Sequence, residues 1–189
     1  MHGEKLFFMR DSFFQFNRCY IWDAFYKDLF TELRADFEQF IVEVPSSLLF
    51  EKQSSYKTVD YTYYLQAQGG ARLELIANIM KDLKQKGYTV AIRPHPRYTN
   101  MEMLKGYLGD SNIEVEQCRE FSIEDSILRT KNAISIYSTV LQQAYYNGTG
   151  VVIDDVSDPE MVSKLRELQY IMARTDNTLL SAPLAVVEK

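Results

Sequence analysis

Between residues 37 and 168 the chain alternates short apolar runs with amphipathic segments, an order that few folds accept. Residues 37–44 and 58–65 read as strands, the first closing at Pro45 and the second rich in Tyr and Thr. Residues 71–86 place Leu73, Ile76, Ala77, Ile79, Met80 and Leu83 along one side of a helix that stops at Gly87. Strands are then expected at 88–92, 112–115, 133–136 and 150–153. Helical segments fall between and after them, near 101–108, 123–128, 139–147 and 159–168. This alternation predicts an α/β fold: a Rossmann-like parallel sheet of five or six strands covered on both faces. No internal repeat and no low-complexity segment interrupts it.

Ahead of the alternation, residues 1–35 are expected to form an aromatic helical extension, leaving 36–189 as the Rossmann-like domain. Phe13, Phe14, Phe16, Tyr20, Trp22, Phe25, Tyr26, Leu29 and Phe30 are too many apolar positions for one narrow stripe. The segment therefore needs a surface to pack on. That surface is ordinary core, another domain, or a second copy in a homodimer.

Composition removes several function classes. A net charge of -5 with no basic stripe argues against a nucleic-acid partner. No run approaches the ~18 apolar residues that cross a membrane, since the stretch from Leu6 to Met9 meets Arg10 and Asp11. Cys19 and Cys118 stand alone without metal spacing and read as reduced thiols, which places the expected location in the cytoplasm.

Chemistry concentrates where strands end. The strand at 88–92 runs into Arg93, Pro94, His95, Pro96 and Arg97, and His95 is one of only two histidines. The two prolines stiffen the backbone and present a cationic His at a strand's carboxyl end, where open α/β sheets bind ligands. An anion such as a phosphate suits it. The strand at 133–136 runs out through Tyr137 into Ser138 and Thr139, and a helix starts at once. Two hydroxyls and the free N–H groups of a helix N-terminus fit an anion, although Ser138 reads equally as a plain N-cap. Glu124, in the stretch 121–126, could accept from ribose hydroxyls or simply favour the first turn of a helix. Gln66 to Gly70 is a loop whose Gly69 and Gly70 permit a tight turn or a ligand's close approach. Asp154 and Asp155 could help hold a metal, but read more simply as a solvated turn. A hydrolase triad of Ser138, His95 and Asp155 lacks the glycines of a nucleophile elbow.

The order of these elements resembles the carboxyl-terminal half of bacterial sialyltransferases of the lipooligosaccharide and capsule group, with the polysialyltransferases as near relatives. The resemblance spans roughly residues 37–175 and rests on Arg93 to Pro96, Ser122 to Asp125, and Tyr137 to Thr139. It implies one Rossmann-like half of a GT-B glycosyltransferase that takes CMP-sialic acid as donor, a glycan as acceptor, and no metal or other cofactor. It assigns His95 to the CMP phosphate as general acid or electrostatic stabiliser, and Pro96 to fixing the loop. Arg93 belongs to the same nucleotide site. Ser138 and Thr139 would hold the phosphate, Glu124 the ribose, and Gln66 and Gly69 the cytidine side.

One departure matters. The family's acidic motif, two carboxylates followed by glycine, is absent, because Asp154 and Asp155 precede Val156. The expectation is thus the donor half of an enzyme of capsule, exopolysaccharide or lipooligosaccharide synthesis, inactive alone. Residues 1–35 would meet the missing amino-terminal domain or a dimer partner, in the cytoplasm or at the inner face of the cell membrane. Two alternatives stand beside it: another GT-B half using CDP-glycerol or a UDP-sugar, and a non-catalytic module that assembles with a glycosyltransferase.

Overall fold

The computed structural model describes residues 17–32, 40–51, 57–174 and 177–185. Two three-residue strands, β1 (Cys19–Ile21) and β2 (Phe40–Val42), pair parallel with each other, and α1 (Ala24–Glu32) follows β1. The main sheet begins with β3 (Val59–Tyr64), which leads into α2 (Gly70–Gln85). It continues through β4 (Val90–Arg93), α3 (Met101–Leu108), β5 (Glu114–Val115) and α4 (Ile123–Arg129). After α4 come β6 (Thr130–Ser135), α5 (Thr139–Tyr146), β7 (Gly150–Ile153) and α6 (Pro159–Glu167). The chain closes with α7 (Ile171–Arg174), β8 (Thr178–Leu179) and α8 (Ser181–Ala185).

All six strands of the main sheet run parallel in the order β5-β4-β3-β6-β7-β8. The α/β architecture read from the sequence is the one observed. Side chains alternate between two cores, as a sheet buried on both faces requires. Tyr63, Ile92, Ile134 and Val152 pack with Leu73, Ile76, Met80 and Leu83 of α2 and with Leu104 of α3. Tyr64, Ala133, Val151 and Ile153 face the other way, against Ile127, Leu141, Val162 and Leu165. Burying each such Leu or Ile is worth about 1.5–3 kcal/mol, so α2 alone, with six buried positions, anchors one layer firmly.

Two expectations change. The strand expected at 37–44 pairs only with β1 and stays out of the main sheet, while residues 37–39 lie outside the described part. The expected extension is not uniformly helical: Cys19–Ile21 is a strand and α1 covers only 24–32, with 1–16 and 33–35 outside the described residues. Ile21, Tyr26, Leu29 and Phe30 are buried in the core that also holds Tyr64 and Leu141, and Phe30 stacks on Phe40 at 5.5 Å. Of the surfaces open to these residues, ordinary core is the one they occupy. No described helix is long and apolar enough to cross a membrane.

The chain lays β3 first, builds β4 and β5 to one side, then returns to place β6, β7 and β8 on the other. The switch point therefore lies between β3 and β6. In sheets of this kind, ligands bind in the crevice outside the carboxyl ends of the strands at that point.

Candidate functional site

At the β4 end, backbone pairing continues to the last residue, with Leu65 N–H donating to the Arg93 carbonyl at 2.9 Å. The chain then turns tightly. His95 N–H donates to Thr99 Oγ1 at 2.8 Å, and Arg97 N–H donates to His95 Nδ1 at 3.1 Å. The imidazole stacks on Tyr98 with ring centroids 4.5 Å apart. An Nδ1 that accepts puts the neutral ring's hydrogen on Nε2, so the turn fixes the tautomer and leaves a donor unused by it. His95 and Pro96 line a recess of about 460 Å³ that also takes in Lys105, Cys118 and Arg119.

Arg93 corrects an expectation. It is 8% exposed, and its guanidinium donates to Glu116 Oε2 at 3.0 Å and to the Phe121 carbonyl at 3.0 Å. Charge at this position is spent inside the fold, so the cations facing the recess are Lys105 and Arg119. Glu116 is the hub of this network. Its carboxylate also accepts from Ser126 Oγ at 2.6 Å and from Arg129 Nε and NH2 at 3.1 and 2.7 Å. Desolvation opposes the charge on Arg129, but hydrogen bonds to Glu114 and Glu116 outweigh it and raise the guanidinium pKa. Burial pushes the Tyr64 hydroxyl, 3.0 Å from Ser126 Oγ, up to about 12. Sequence reasoning passed over Glu116. It sits just past a two-residue strand, where no alternation distinguishes an inward carboxylate from an outward one.

The Phe121 carbonyl bond also brings the amino terminus of α4 beside the end of β4. Ser122 caps that helix, with Oγ accepting from Asp125 N–H at 3.0 Å. Glu124 lies half-buried in its first turn, on the side of the sheet where β4 ends.

At the β6 end, Ser135 Oγ donates to the Tyr64 carbonyl at 3.0 Å and holds the strand to β3. Ser138 caps α5, its Oγ accepting from Val140 N–H at 3.2 Å, and Thr139 beside it is exposed. The hydroxyl hydrogen of a serine that accepts at a cap remains available to a ligand. Between the β3 and β6 ends opens a crevice of about 310 Å³, lined by Gln66, Ala67, Gln68, Arg72, Ile136, Tyr137, Asp158 and Met161. Gln66 N–H donates to Gln68 Oε1 at 2.6 Å, which shapes the loop. Gly69 is the N-cap of α2 at φ -86, and an added Cβ would meet no protein atom within 4 Å, so the fold itself does not demand glycine there. The tighter position is Gly70, where a Cβ would lie 3.2 Å from Met103 Cε. That glycine serves the packing of α2 on α3.

The structure thus divides the expected residues between two neighbouring hollows on one edge. His95 and Pro96 line the recess beyond β4, with Glu124 on the helix tied to that strand's end. Gln66 lines the switch-point crevice, whereas Gly69, Ser138 and Thr139 do not line it and follow its wall residues Gln68 and Tyr137 only in sequence. Parallel strands lie about 4.8 Å apart, which puts the β4 and β6 ends about 10 Å from each other across β3.

The paired carboxylates after β7 are occupied within the fold. Asp154 accepts from Tyr63 Oη at 2.5 Å, from Val156 N–H at 3.0 Å and Ser157 N–H at 2.8 Å, and from Ser157 Oγ. Burial and the Asp154 carboxylate hold the Tyr63 pKa well above the ordinary value. Asp155 accepts from Ser181 N–H and Oγ at 2.9 and 2.6 Å. Among the described residues no cluster of His, Cys, Asp and Glu is arranged to hold a metal ion.

No protein-family model and no curated protein matches the sequence. Among solved structures, the chain is similar to an S. aureus TarM mutant in complex with fondaparinux, alpha-GlcNAc-glycerol and UDP. That likeness has a TM-score of 0.42 and 10% identity, covering 74% of this chain and 30% of the TarM chain. The chain is also similar to the structure of MT0777, with a TM-score of 0.37 and 13% identity over 63% of this chain and 81% of that one. Likenesses of this size share an α/β outline and assign neither a family nor a ligand.

Proposed function

We propose that this chain binds the nucleotide end of a nucleotide-sugar donor at the carboxyl edge of its sheet, with CMP-sialic acid as the donor and a glycan as acceptor. The observation that supports this best is the switch-point crevice itself, opening between β3 and β6 beside the Ser138 cap and next to the His95 turn. Parallel α/β sheets hold nucleotides at this place. The choice of cytidine monophosphate over other nucleotides rests on the sequence motifs around His95, Glu124 and Ser138.

In this reading the acceptor hydroxyl oxygen forms a new C–O bond to the anomeric carbon of sialic acid as the C–O bond to CMP breaks, the electron pair of the broken bond goes to the phosphate oxygen, and the acceptor's proton passes to water. His95 Nε2–H donates to the departing phosphate, while the hydroxyls of Ser138 and Thr139 and the N–H groups opening α5 meet the same charge. These groups supply the charge compensation, so the reading calls for no metal. Glu124 accepts from the ribose, and Gln66 and its loop border the base.

Calorimetry with CMP, CDP, UMP and UDP tests the proposal. Saturable CMP binding that falls at least about tenfold in His95→Ala and Ser138→Ala is expected, the order of a lost charge-assisted contact. Tighter binding of CDP or UDP would move the donor to CDP-glycerol or a UDP-sugar. Binding of none would leave a non-catalytic module.

A further inference from the structure

One ion pair spans the crevice. Arg72, in the first turn of α2, and Asp158, which caps α6, approach to 2.8 Å between NH2 and Oδ2. The two helices belong to opposite layers, so the pair arches over the carboxyl edge of the sheet where β3, β6 and β7 end. Both residues line the crevice. Their surroundings differ sharply: the Arg72 side chain is 45% exposed and the Asp158 side chain 12%. Asp158 is held from behind, since its Oδ1 accepts from Met161 N–H at 3.1 Å. Arg72 is held by a long, flexible stem and can turn its planar fork to another anion. The remaining wall suits a base and not a second charge, with Ile136, Tyr137 and Met161 as apolar surface and Gln66 and Gln68 as amides.

We propose that Arg72 is a phosphate ligand of this crevice and that Asp158 competes for it, so that nucleotide entry exchanges the carboxylate for a phosphate on the same guanidinium. This rests on the nucleotide-binding reading above. Two features favour an exchange over a fixed brace. An ion pair whose arginine is this exposed adds little to stability, because water screens it, so breaking it costs little. A phosphate with more charge than a carboxylate, approaching the amino ends of α2, α5 and α6 together, more than replaces it. Asp158 then sets the affinity. It lowers binding of weakly charged ligands and leaves the crevice to those with a phosphate strong enough to displace it.

The two partners consequently have opposite effects, which a brace would not give. Asp158→Asn keeps an oxygen for Met161 N–H, since asparagine caps helices as well as aspartate, but it releases Arg72. Measured by calorimetry on the full chain, Asp158→Asn is expected to tighten CMP binding by about three- to tenfold and Arg72→Gln to weaken it by about tenfold or more. Cytidine, which lacks the phosphate, should bind both variants as it binds wild type. Thermal melts should place both variants within a few degrees of wild type. If Asp158→Asn leaves CMP affinity unchanged or lowers it alongside Arg72→Gln, the exchange is wrong while the nucleotide reading stands. If wild type binds CMP, CDP, UMP and UDP not at all, both fall.

Discussion

Arg93 and Glu116 form a buried ion pair, NH1 to Oε2 at 3.0 Å, with the arginine side chain 9% exposed and the glutamate side chain fully covered. The arginine that sequence alone offers as a ligand is a structural tie between β4 and the segment leading into α4. Removing one member of such a pair leaves an uncompensated charge and costs about 3–5 kcal/mol. Arg93→Ala and Glu116→Ala should each lower unfolding free energy by that order in urea titrations, and the double variant should lose less than their sum. An Arg93→Ala protein that melts like wild type yet loses nucleotide affinity would return Arg93 to the ligand site.

Asp60 carries a pH dependence at the opposite edge of the sheet. It accepts from Thr89 N–H at 2.8 Å, Thr89 Oγ1 at 2.6 Å and Lys131 Nζ at 2.7 Å, joining β3 to the start of β4 and to β6. Desolvation works against its charge, but the bonds from Lys131 and Thr89 outweigh it and lower the carboxyl pKa. A carboxyl with a folded pKa below its unfolded one stabilises the fold above the unfolded value, near 3.9, and loses that contribution as pH falls through the folded value. Asp60→Asn should therefore cost about 1 kcal/mol at pH 7. Urea curves taken down to pH 3 should show the gap to wild type narrowing, and a gap independent of pH would contradict this origin.

Gly150 opens β7 against β6 with no room for a side chain. An added Cβ would lie 2.5 Å from Asn132 Oδ1 and 3.0 Å from the Lys131 carbonyl. The second contact is backbone, so relief requires the strand to shift. Gly150→Ala is expected to destabilise by about 1–3 kcal/mol, seen as a lower midpoint in thermal melts, whereas Gly69→Ala, in open space, should melt as wild type does.

These contrasts mark how far the sequence was readable. The helix at 101–108 and the strand at 150–153 stand where their periodicity and flanking glycines put them, because buried parallel strands and amphipathic helices leave strong patterns. β8 escaped, since two residues, Thr178 and Leu179, carry no period and are held by pairing with β7. Cys19 to Ile21 reads as helical among its aromatic neighbours, and only its pairing with β2 makes it a strand. At the site, the turn around His95 and the cap at Ser138 follow from local chemistry, Pro and Ser at strand ends. Glu116 and the Arg72–Asp158 pair are contacts between segments far apart in the chain, and no local pattern announces them.

The most direct test of the central claim is a titration of CMP into the uniformly 15N-labelled chain, followed residue by residue. Saturable shifts should gather at the amides of Gln66 to Arg72, His95 to Thr99 and Tyr137 to Leu141, and weaken in His95→Ala. Shifts confined to the hollow by Lys81, Lys84 and Ser111, between α2 and α3, or none with CMP, CDP or UDP, would contradict it.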